Sequence, residues 1–133
     1  MHPKIILPSL LILFFFSCSN NSKKGEIELN NGEKWKINAE MIPPLEASEK
    51  LISDFAAGDK EDYRSLVVQL KENNQLLISS CTMKGKSHDE LHKWLHPYMV
   101  LLDELENVET EKESIELFEK IEQSFETFNQ YFQ

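Results

Sequence analysis

An all-α fold, an up-down-up-down four-helix bundle after an N-terminal signal peptide and a flexible tether, is what this sequence predicts. Three observations carry that expectation. Apolar residues recur at helical spacing from Trp35 to Gln133, no window alternates with period two for long enough to make a sheet, and turn or cap signals divide the region into four segments. The 133 residues suffice for one domain of ordinary size. A three-helix bundle with the first helix loosely docked is the alternative arrangement.

The first element is a leader. Lys4 supplies a positive charge, Ile5 to Phe16 form an apolar run broken only by Pro8 and Ser9, and a polar stretch follows Cys18. At ~1.5 Å rise per residue the run spans roughly 18 Å, short of the ~30 Å hydrocarbon core of a bilayer. A charged start, a short apolar centre and the small Ser17 before the cut describe a secretory signal peptide over residues 1–17. With Cys18 directly after it, the segment resembles a bacterial lipoprotein signal, although Phe15 stands where that pattern prefers Leu. The looser pattern is familiar in Bacteroidetes-type bacteria. The resemblance implies that Cys18 is lipidated, carrying acyl chains such as palmitate, and opens the mature chain. Anchoring would then follow from buried methylenes at ~0.8 kcal/mol each. The other reading is a plain signal peptide cut nearby, with an incidental cysteine. On the lipoprotein reading the protein belongs to the bacterial cell envelope, and the absence of an acidic cluster after Cys18 favours a periplasm-facing position. Residues 18–34 read as the lipidated cysteine and a flexible tether, and residues 35–133 as the bundle domain.

Helix one is expected from about Asn38 to Ala57, with Met41, Ile42, Leu45, Leu51, Ile52 and Phe55 inward; Pro43 and Pro44 lie near its start, where proline costs least but can bend the chain. Helix two is expected from about Lys60 to Thr82, its stripe made by Tyr63, Leu66, Val67, Leu70, Leu77, Ile78 and Cys81. After the turn at Lys84-Gly85-Lys86, Ser87 and Glu90 fit a capping box that opens helix three. That helix carries Leu91, Trp94, Leu95, Tyr98, Leu101, Leu102, Leu105 and Val108 on one face, with a kink expected at Pro97. A second capping box, Thr110 to Glu113, opens helix four, whose inward line is Ile115, Phe118, Ile121, Phe125, Phe128 and Phe132.

Composition excludes several functions. The net charge of −9 argues against nucleic acid as a partner, since phosphate binding needs a clustered basic surface. The acidic residues of helices three and four, from Glu104 to Glu126, fall on outer faces and read as a solvated surface. A di-iron bundle site needs inward Glu-x-x-His on two helices, and Glu90-Leu91-His92 has the wrong spacing. No phosphate loop, Ser-His-Asp pattern or Cys-x-x-Cys occurs, so no catalytic residues are assigned and the chain is not read as an enzyme.

One constellation can carry chemistry. His88, His92 and His96 recur at every fourth position and lie at about 60°, 100° and 140° from Leu91 around helix three. His88 thus borders the apolar stripe, His92 is lateral and His96 leans to solvent. In an antiparallel hairpin turning near Gly85, Cys81 falls level with Leu91 and His92, and Met83 falls near His88. Cys81, Met83, His88 and His92 form a candidate soft-metal site for copper(I), or for zinc if Met83 is not a ligand; His96 is the least suited on angle. With Cys18 lipidated, Cys81 has no disulfide partner. The plainer reading makes Cys81 a small core residue beside surface histidines.

The run from Ser80 to Pro97 resembles the signature region of small Bacteroidetes-type lipoproteins, over about Trp35 to the C-terminus; the resemblance implies a shared fold and no activity. In length and layout the chain also resembles the periplasmic four-helix b-type cytochromes, which hold haem between a Met early in helix one and a His late in helix four. Met41 matches the first place, but Phe125 to Tyr131 contain no histidine, so haem ligation is not expected. The functional expectation is a lipid-anchored periplasmic bundle binding copper or zinc. The alternative is a metal-free structural bundle that engages an envelope protein.

Overall fold

The computed structural model describes residues 25–133; the proposed signal peptide and Cys18 lie outside the described residues. A 3-10 turn at Ala39–Met41 leads into α1 (Ile42–Ala57), followed by α2 (Tyr63–Ser80), α3 (Lys86–Asn107) and α4 (Glu111–Tyr131). Apart from isolated bridges, the regular structure among the described residues is helical, and the helices pack as a bundle in which α1 lies on α2, α2 on α3 and α3 on α4.

The helix ends explain themselves residue by residue. Both prolines of α1 sit in its first turn, where no intrahelical donor is lost. Asn38 ties that start to the end of α2: its amide donates to the Ser80 carbonyl at 2.9 Å and its Oδ1 accepts from the Thr82 N–H at 3.0 Å. Lys60 takes a positive φ of 53°, which stops helical propagation, and Asp62 then caps α2 by accepting from the Ser65 N–H at 2.9 Å. The helix therefore starts at Tyr63 instead of Lys60, and it ends one residue before Cys81. The first capping box fails. Gly85, at φ 67°, precedes α3, and Ser87 donates its hydroxyl to the Lys84 carbonyl. The second one forms: Thr110 Oγ1 accepts from the Glu113 N–H and donates to the Glu113 carboxylate. α3 runs on through Pro97.

The core has an aromatic centre at each end. Trp94 stacks on Tyr98, meets Phe125 and Phe128, and donates its indole N–H to the Ser124 carbonyl at 2.8 Å. Phe55, Tyr63 and Phe118 form the second cluster, with ring centroids 4.9–6.2 Å apart. Ile42, Ile78 and Ile115, expected inward, are exposed. On α4 the inward positions go to Ser114, Leu117, Phe118 and Ile121, which turns Ile115 to the rim.

Residues 25–34 also depart from the expected tether. Trp35 exchanges backbone hydrogen bonds with Tyr131 and Gln133, and its indole donates to the Glu28 carbonyl. Upstream, a turn closes between Asn30 and Glu33, and Ile27 packs against the core. Glu90 is the pin. Only 3% exposed, its carboxylate accepts the Glu28 N–H at 2.8 Å and pairs with Lys93 at 2.8 Å, while Lys93 also donates to the Glu26 carbonyl. The physical reason is long-range: a polar segment with little apolar area is held by backbone groups that find charged partners on α3. Glu90→Ala removes the acceptor of the Glu28 N–H and should cost about 1–3 kcal/mol. Hydrogen exchange checks it: amides between Ile27 and Trp35 are expected to exchange faster while those of α4 stay protected.

Candidate functional site

The first turns of α3 set the site. Residues four apart on a helix are neighbours on its surface, so His88, His92 and His96 form a row along one flank. Their rings meet edge to face, with centroids 4.3 Å apart for His88 and His92 and 4.8 Å for His92 and His96. The nitrogens are in contact. His92 Nε2 lies 3.0 Å from His88 Nε2, and His92 Nδ1 lies 3.0 Å from His96 Nε2. His88 and His92 are half-buried and His96 is exposed, the order expected from their angles around the helix.

Each such contact needs one N–H and one lone pair, and a neutral imidazole has one of each. His92 in its neutral form therefore donates to one neighbour and accepts from the other. Burial holds its pKa below the ordinary value, the adjoining His88 and His96 push the same way, and Asp89 opposes them. A pH dependence follows. Below the unfolded value of about 6.5 the unfolded chain takes up a proton that folded His92 resists, so stability falls as pH drops from there towards the lowered folded value. Melting temperatures between pH 7.5 and 5.5 should fall in the native protein and fall less in His92→Gln.

The row edges a cavity of about 330 Å³ between α2 and α3, also lined by Cys81, Met41 and Met99. The remaining lining is Leu77, Ile78, Leu91 and Leu95, and no carboxylate takes part. Cys81 is half-buried just past the end of α2, with extended backbone, its N–H bonded to the Ile78 carbonyl. Met83 packs against the core and is not part of the lining; the methionine of α3 that lines the cavity with the histidines is Met99. Met99 was legible in principle, seven residues after His92 and on the same flank. Met41 was not, because it enters from the 3-10 turn before α1.

What the row offers an ion is pairs of donors. Two nitrogens bound at ~2.0–2.1 Å to one ion lie ~2.9 Å apart at a right angle and ~3.3 Å apart at the tetrahedral angle. The 3.0 Å between His88 Nε2 and His92 Nε2 falls in that span. Among the described residues no group of three or more His, Cys, Asp or Glu side chains is already gathered around a common point. No described helix is long and apolar enough to cross a membrane. Comparison with protein-family descriptions gives no match, and neither do comparisons with curated proteins and with solved structures.

Proposed function

We propose that this chain is a lipid-anchored, periplasm-facing envelope protein, without catalytic activity, whose bundle binds a transition-metal ion, copper or zinc, through His88 and His92. The observation that carries this reading is the 3.0 Å approach of their Nε2 atoms. The lowered pKa of His92 supports it, because metal competes with protons for imidazole and a ring that holds its proton less tightly than an ordinary histidine gives it up to an ion more readily. Cys81 adds a thiol from across the cavity, and the apolar lining limits competition by water. The anchoring half rests on the leader ending at Cys18.

Dialysis of the full chain against zinc or copper, followed by elemental analysis, tests the binding half. About one ion per chain is expected after removal of excess metal, and none in the His88→Ala/His92→Ala double variant. A folded native chain that retains no ion would leave the metal-free, partner-binding bundle as the reading.

A further inference from the structure

The histidine row holds two pairs of ring nitrogens, not one. His92 spends Nε2 on His88 and Nδ1 on His96, each at 3.0 Å. A neutral imidazole has one lone pair for an ion, so the pairs are alternatives for a single ion, and His92 belongs to both.

The two ends differ in their surroundings. His88 and Cys81 lie at the hairpin end, on either side of the α2–α3 turn. At the other end His96 and Met99 are both exposed, and Met99 follows His96 by one helical turn. Long side chains on a helix lean back towards its N-terminus, which brings the Met99 thioether towards His96. Two imidazoles and a thioether are neutral donors, the thioether a soft one.

Charge then discriminates between ions. At the hairpin end Cys81 offers a doubly charged ion a sulfur that ligates as an anionic thiolate, whereas the outer set offers neutral donors alone. Thioether ligation favours copper(I) for the same donor set.

We propose, resting on the metal-binding reading above and narrowing its His88–His92 position to zinc, that His92 Nδ1, His96 Nε2 and Met99 form a second position, specific for copper(I) and exclusive of the first. The sequence angle that set His96 apart as a ligand of the hairpin end is what places it in this outer set.

Anaerobic titration of copper(I) against a chromophoric chelator, paired with zinc titrations, tests it on the full chain. Met99→Leu and His96→Ala are each expected to weaken copper(I) binding at least tenfold and to leave zinc within threefold. His88→Ala is expected to weaken zinc at least tenfold and copper(I) by less than threefold. Met83→Leu serves as the control and should change neither. Copper(I) binding that survives Met99→Leu intact, or is lost in Cys81→Ser instead, would place the ion at the hairpin end and overturn the second position. That outcome differs from failure of the broader reading, in which the native chain binds neither ion.

Discussion

Trp94→Ala is expected to cost about 3–5 kcal/mol, a large share of the roughly 5–15 kcal/mol that holds a domain of this kind together. Trp94 is buried, stacked on Tyr98 with ring centroids 5.2 Å apart, and wedged against Phe125 and Phe128 of α4. Truncation opens a cavity between two helices and strips the Ser124 carbonyl of its indole donor. Nothing nearby can close the gap cheaply, because the neighbouring rings are fixed by their own contacts. Urea unfolding followed by circular dichroism reads the loss. Ile115→Ala, on the same bundle but at the rim, should cost well under 1.5 kcal/mol. Equal costs for the two would contradict the packing described.

His92→Ala is expected to weaken zinc and copper binding at least 100-fold, more than the loss of either neighbour does for both ions together. His92 is the residue that both nitrogen pairs share. Two ligands on one rigid helix bind as a chelate, in which the second bond forms at a high effective concentration, and removing one leaves a single imidazole with ordinary weak affinity. His88→Ala and His96→Ala each remove one pair and leave the other. Calorimetric titration with zinc, and chelator competition with copper(I), measure the difference. A His92→Ala protein that binds like His96→Ala towards zinc would show that His92 is not the common ligand.

Much of the bundle was legible because burial repeats with the helix period. Leu66, Leu70 and Leu77, or Phe118, Ile121, Phe125 and Phe128, mark inward faces that packing then confirms. Thr110 was legible as a cap for a local reason: its partner Glu113 lies three residues away. Ser87 has the same spacing to Glu90, yet Glu90 instead pairs with Lys93 one turn on and accepts the Glu28 N–H, a partner 62 residues away in the chain. The docked segment before Trp35 was hidden for that reason too. Beside the packing of Ile27, it is held by a carboxylate 62 residues on, which its own composition does not announce. At the site, the row of histidines was visible as a spacing, and their order of exposure followed from the helix angle. Nearness to the turn points to Met83, but past the extended backbone at Cys81 Met83 lies half-buried against the core and outside the cavity lining.

Long-range proton–nitrogen NMR of the histidine rings during zinc titration tests the metal reading most directly. The Nε2 signals of His88 and His92 are expected to shift together and to stop shifting at one equivalent. Ring nitrogens that stay unmoved while zinc perturbs only the carboxylates of the acidic surface would contradict it.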